Sequence, residues 1–145
     1  MTADQREPAP AGYSGTPLPR KLGIKAGHRV VLLDAPEDFA DVLGELPEGT
    51  PVSGRLPTGQ PADVIVCFVT WRHALAARLP ELRAGLAPAG GLWVAWPKKA
   101  ARVPTDMTEH VVRELALPTG LVDNKVCAID ATWSGLRLVI RRELR

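Results

Sequence analysis

The sequence predicts an α/β fold in three layers: a mostly parallel sheet with helices on both faces, closed by a C-terminal antiparallel hairpin. Three observations carry this. The runs Val30-Val31-Leu32-Leu33 and Val64-Ile65-Val66-Cys67-Phe68-Val69 are apolar without alternation, as in strands covered on both sides. Helical spacing separates such runs, giving the order β-α-β-α-β-α-β-β, which implies right-handed crossovers between parallel strands. Near the C-terminus, Arg137, Val139 and Arg141 alternate with Leu136, Leu138 and Ile140, the pattern of an antiparallel strand with one wetter face.

Residues 1–12 are polar and rich in Pro and Ala, so they are read as a flexible tail, and 13–145 as one α/β domain. Tyr13 to Leu18 is a turn-rich segment that either drapes over the strand ends or stitches the tail to the sheet. A short helix is expected over 18–24, capped at Gly23. The first strand, over 29–33, ends at Asp34-Ala35-Pro36 and leads into a helix over 36–43 that buries Phe39, Val42 and Leu43. The stretch 44–59, broken by Pro47, Pro51 and Pro57, holds only an edge strand near Val52.

The clearest buried strand spans 63–69. The turn Thr70-Trp71-Arg72-His73 then opens a helix with Leu75, Leu79, Leu82 and Leu86 inward, kinked or restarted at Pro80. The loop Ala87-Pro88-Ala89-Gly90-Gly91 follows. It feeds the strand around which the chain is arranged, Leu92-Trp93-Val94-Ala95-Trp96, which Pro97 stops before Lys98-Lys99. Thr105 or Asp106 is expected to cap a helix, with Glu109 completing a capping box. Val111, Val112, Leu115 and Ala116 form its buried face, and Pro118-Thr119-Gly120 ends it. Strands over 125–133 and 136–142 are expected to turn at Ser134-Gly135, and Asp123-Asn124-Lys125 to cap the approach.

The chain has 145 residues, 46% of them apolar, enough for one core. With 18 basic and 16 acidic residues the net charge is +2, which argues against wholesale nucleic-acid binding and leaves room for one basic patch. Cys67 and Cys127 sit in apolar runs and read as buried free thiols. No signal peptide and no membrane-length apolar run is visible, so a reduced, cytoplasmic protein is expected. The wealth of Ala, Pro, Gly and Arg points to a high-GC bacterial source.

The run from Asp63 to Pro97, with its Pro-Ala-Gly-Gly segment and the closing hairpin, resembles the later half of the Rossmann-like fold of S-adenosylmethionine-dependent methyltransferases. That resemblance implies a cofactor at the first strand's end, approached through a glycine-rich loop. Here that strand ends Leu33-Asp34-Ala35-Pro36-Glu37-Asp38, with no glycine and with crowded carboxylates. A second resemblance covers most of the chain. Gly12-Tyr13-Ser14-Gly15-Thr16-Pro17-Leu18, Leu22-Gly23-Ile24, Trp96-Pro97-Lys98-Lys99, Leu121-Val122-Asp123-Asn124-Lys125-Val126-Cys127-Ala128 and Trp133-Ser134-Gly135-Leu136 are similar to a family of small bacterial proteins known as a domain of unknown function. It implies no activity.

In open α/β sheets, ligands sit beyond the carboxyl ends of the strands at the switch point. The candidate rim is therefore Asp34, Trp71, Arg72, His73, Trp96, Lys98 and Lys99, suited to a flat or anionic ligand. Trp93 and Trp96, three apart on a strand, face opposite sides, with Trp93 expected in the core and Trp96 at the rim. The plainer alternative leaves Lys98 and Lys99 in water and puts Trp71 and Trp96 in the core, and it is weighed ahead of the rim.

No catalytic or metal-ligating set is assigned. His28, His73 and His110 have no partner spacing, and Ser14 and Ser134 lie in no nucleophile elbow. Arg137, Arg141, Arg142 and Arg145 read as a solvated face or a surface for an acidic partner. The resulting expectation is a non-catalytic or regulatory module that binds an anionic small molecule or a protein partner, its cofactor unknown. The alternative is a divergent S-adenosylmethionine-dependent methyltransferase-like transferase. A homodimer through an exposed edge at 136–142 is a further expectation.

Overall fold

The computed structural model describes residues 15–145. The expectations for the tail at 1–12, and for Tyr13 and Ser14, fall outside them. The strands are β1 (Val30–Leu33), β2 (Val52–Ser53), β3 (Ala62–Phe68), β4 (Leu86–Pro97), β5 (Leu121–Ala128) and β6 (Trp133–Ile140). They form one sheet in the order β2-β1-β3-β4-β6-β5. Pairings are parallel from β2 through β4 and antiparallel between β4 and β6 and between β6 and β5. The chain moves outward from β1 to β2 and returns past β1 to β3, so the switch point lies between β1 and β3.

Helices α3 (Arg72–Gly85) and α4 (Glu109–Ala116) cover one face, and the short α1 (Leu18–Lys21) and α2 (Phe39–Leu43) cover the other. Strand alternation divides the core between these layers. Ile65, Cys67, Leu92, Val94 and Trp96 pack with Leu75, Leu79, Leu82 and Val112. Val64, Val66, Phe68 and Trp93 pack with Leu18, Leu22, Phe39 and Leu43. Trp93 is fully buried, and its indole Nε1 donates 3.0 Å to the Leu22 carbonyl, tying α1 to the sheet.

Several local expectations are corrected. The Pro-Ala-Gly segment is not a loop but lies inside β4. There the β3 pairing jumps from Ala62↔Leu86 to Val64↔Gly91. Gly90 permits this, because a Cβ at that position would lie 2.8 Å from the Asp63 carbonyl oxygen. α3 continues through Pro80 and ends at Gly85, so Leu86 belongs to the strand. The cap of α4 is Thr108, whose Oγ1 accepts from Val111 N at 3.1 Å, and not Thr105 or Asp106.

The hairpin also turns earlier than expected. Asp130 Oδ1 accepts from Thr132 N and Trp133 N, both at 2.8 Å, and closes the connection. Gly135 is no turn residue; it makes room for Ile129 and Trp93, which would lie 2.9 and 3.1 Å from a Cβ there. Because β6 is interior, the exposed edge assigned to 136–142 belongs to β5. Among the described residues, no helix is long and apolar enough to cross a membrane.

Candidate functional site

The carboxyl ends of β1 and β3 flank the switch point, from which the chain leaves toward α2 on one face and α3 on the other, the place where open α/β sheets hold ligands. β1 hands the chain to Asp34, which takes a left-handed φ of 57°. Asp tolerates this conformation better than most residues with a Cβ. The turn that glycine serves elsewhere is therefore made here with a carboxylate. Its side chain is 69% exposed and accepts 2.5 Å from Arg78 Nη1, whose side chain is 26% exposed. Arg78 also reaches Glu81 at 3.5 Å. The charges sit over the end of β3. Burial raises the Cys67 thiol to about 11, while Arg78 pulls it down and Asp34 and Glu81 push it up.

The turn after β3 supplies the second wall. Trp71 precedes α3 and leaves its indole 42% exposed. Arg72 is held at both ends: its amide donates 2.7 Å to Asp106 Oδ1, and its guanidinium pairs with Glu114 at 2.7 Å. That pairing draws the Glu114 carboxyl down. Thr105 Oγ1 donates to the Thr70 carbonyl, so the loop before α4 is stitched to the β3 turn. His73 is exposed on α3.

The expected rim is divided by the fold. Asp34 follows β1, and Trp71 and Arg72 follow β3, with Arg72 turned to Asp106 and Glu114 and Asp34 to Arg78. Trp96, at 7% exposure, packs in the core under α3 and α4 rather than at the rim. Lys98 and Lys99 follow β4, two strands from β1. Lys98 N donates 2.7 Å to Thr132 O, and its charge is felt at Cys127 together with those of Lys21 and Lys125. Lys98 therefore belongs to the β5–β6 side of the sheet.

Arg78 was missed by sequence reasoning. The available signal was its place beside the Leu75-Leu79-Leu82 stripe, on the helix that follows the central strand. Among the described residues, no group of three or more His, Cys, Asp or Glu could hold a metal ion.

What the rim can do chemically follows from its charges. Asp34, Glu37 and Asp38 crowd the first loop with carboxylates, which is hostile to a pyrophosphate. The same loop suits a cation. Asp34 and Arg78 together present one acceptor and one guanidinium, the complement of an amino-acid zwitterion. In the structure the two groups engage each other at 2.5 Å.

No protein-family model matches the chain, and no curated protein matches it. Solved structures do. TrmN from Thermus thermophilus aligns with a TM-score of 0.58 at 15% identity, over 85% of this chain and 47% of that one. A SAM-dependent methyltransferase from Aquifex aeolicus aligns at 0.61 and 14%, over 83% and 87%. The magnesium protoporphyrin IX methyltransferase of Synechocystis PCC 6803 with bound SAM aligns at 0.53 and 11%, over 85% and 74%. The chain thus spans about half the length of the first of these and most of the other two. These neighbours correct the expectation of a non-catalytic or regulatory module and favour its alternative. The described chain has the methyltransferase-like Rossmann fold, a six-stranded, mostly parallel sheet with an antiparallel C-terminal pair and helices on both faces.

Proposed function

We propose that this chain is a divergent S-adenosylmethionine-dependent transferase that holds its cofactor at the carboxyl ends of β1 and β3. The observation that carries this is the Asp34–Arg78 pair at the switch point. Asp34 is placed to accept from an α-ammonium and Arg78 to grip an α-carboxylate, once each releases the other. Trp71, exposed at the turn after β3, offers a flat apolar face for a purine. When bound, the cofactor supplies an electrophilic methyl group on its sulfonium. The chain's own residues bind and orient it and surround its positive charge with Asp34, Glu37 and Asp38. The motifs that resemble the small bacterial family are consistent with this reading, and we propose membership of that family and a cytoplasmic setting with it.

Thermal unfolding with and without S-adenosylmethionine tests the assignment. At roughly 100 times the dissociation constant, the cofactor should add about 2.7 kcal/mol, a shift of several degrees for a domain this size. Asp34→Asn and Arg78→Gln should each remove most of that shift. A parent protein that ignores millimolar S-adenosylmethionine and S-adenosylhomocysteine overturns the reading. So does a shift that both variants retain.

A further inference from the structure

On the face opposite α3 and α4, near the β5 edge, three cations line adjoining clefts with no anion among the described residues. Lys125 on β5 lies directly opposite Arg137 on β6, which in turn lies opposite Trp93 on β4. Like charges facing one another across an antiparallel pair are destabilising. The placement depends on an irregularity: the β5–β6 register slips between Asp123 and Lys125. Without that slip, alternation would turn Lys125 toward α4, the side where Asp123 meets Arg113 at 2.9 Å. Bulges that re-aim a side chain in this way recur beside functional sites.

The third cation comes from α1. Lys125 Nζ donates 3.0 Å to the Lys21 carbonyl, and Lys21 Nζ donates 2.9 Å to the Ala128 carbonyl. These acceptors are neutral, and among the described residues neither ammonium stands in an ion pair. Arg137 is partly buried. Among the described residues its guanidinium meets no carboxylate, only Asn124 Oδ1 at 3.4 Å. Burial first, and then Arg145, draw its pKa below the ordinary value.

Glycine makes the berth for it. A Cβ at Gly91 would lie 2.4 Å from Arg137 Nε. Two open clefts adjoin the cluster. One, of about 230 Å³, is lined by Lys21, Gly23, Asn124, Lys125 and Arg137. The other, of about 400 Å³, shares Lys21 and Lys125 and adds Arg20. Among the described residues, no carboxylate lines either cleft.

We infer that this paired cleft is a second ligand site, for a compact polyphosphate-bearing small molecule such as a nucleoside di- or triphosphate. The two clefts flank the Lys21–Lys125 contact and offer one berth each to neighbouring phosphates. Lysines serve phosphate as point charges and Arg137 as a fork. The extent of the site argues for a small ligand. From Asn124 to Ala128 a strand covers roughly 13 Å at about 3.3 Å per residue. A chain of net charge +2 lacks the wider basic surface that a nucleic acid requires. The site shares no residue with the Asp34 rim and stands whether or not that rim takes S-adenosylmethionine.

The test uses the full chain and sodium tripolyphosphate at constant ionic strength, read by thermal unfolding. Tripolyphosphate should raise the melting temperature of the parent by several degrees. Lys125→Gln/Arg137→Gln should lose that shift, and Arg55→Gln, after β2 at the opposite edge of the sheet, should keep it. Without ligand, the double variant should melt no lower than the parent, because the like-charge opposition is gone. If the double variant folds poorly, Lys21→Gln provides the same reading from α1. No shift in the parent overturns the inference, as does an equal shift in the cleft variants. A ten-residue oligothymidylate that outcompetes tripolyphosphate at these residues overturns the compact ligand.

Discussion

Asp34 accepts a 2.5 Å hydrogen bond from Arg78, and this one contact joins the loop after β1 to the helix after β3. It spans the switch point between β1 and β3. Both groups are water-accessible, so the pair is worth little to stability, on the order of 1 kcal/mol or less. We expect Arg78→Ala to shift the denaturant midpoint only slightly while abolishing the response to S-adenosylmethionine. A large loss of stability would mean that the pair is a structural clamp.

Cys67 lies beneath that pair. Burial raises its pKa from the ordinary 9.0 to about 11, and Arg78 opposes the rise. The folded value exceeds the unfolded one, so the thiol's contribution is fully present below pH 9 and is lost as the pH climbs toward 11. Unfolding free energy measured from pH 8 to 11 should fall less steeply in Cys67→Ala than in the parent, whatever the offset between them. Arg78→Ala should push the thiol's titration higher still, as followed by thiolate absorbance.

Trp93 anchors α1 through the 3.0 Å bond to Leu22 O. Trp93→Phe leaves that carbonyl without its donor and opens a void beside Gly135. The cost should be about 2–4 kcal/mol by chemical denaturation. Because α1 carries Lys21, the same substitution should weaken tripolyphosphate binding. Unchanged stability would show that α1 is not docked through this ring.

Gly90 and Gly91 are neighbours with opposite tolerances. A Cβ at Gly90 meets backbone, the Asp63 and Ala62 carbonyl oxygens at 2.8 and 3.1 Å. The three atoms nearest a Cβ at Gly91 all belong to the Arg137 guanidinium. Gly90→Ala should therefore cost about 1–3 kcal/mol, and Gly91→Ala less than about 1 kcal/mol. Gly91→Ala should instead displace the guanidinium and reduce the tripolyphosphate shift. Equal losses of stability would remove the argument that Gly91 serves Arg137.

The α/β class, the parallel core strands and the opposite facing of Trp93 and Trp96 were legible in the sequence. They follow from local rules: unbroken β-branched runs, helical spacing of leucines, and the two-residue period of a strand. Turn chemistry was legible only in part. Gly135 and the Pro-Ala-Gly run resemble turns, but their glycines answer to distant neighbours, Trp93 for the first and Asp63 for the second. Nothing local distinguishes a glycine that bends the chain from one that makes room.

The sites were the least legible. Trp96 was expected at the rim because it ends a strand, yet α3 and α4 cover it. Arg78 lies 44 residues from Asp34, and Lys21 meets the Ala128 carbonyl across 107. No pattern along the chain encodes such pairings. By itself, the sequence determined which segments are strands and helices and which of their faces are apolar. Which charges meet, and which have no anion among the described residues, was decided only when the sheet order and the slip before Lys125 set them side by side. Backbone and apolar periodicity act over a few residues, whereas electrostatic contact depends on distances that exist only in the folded chain.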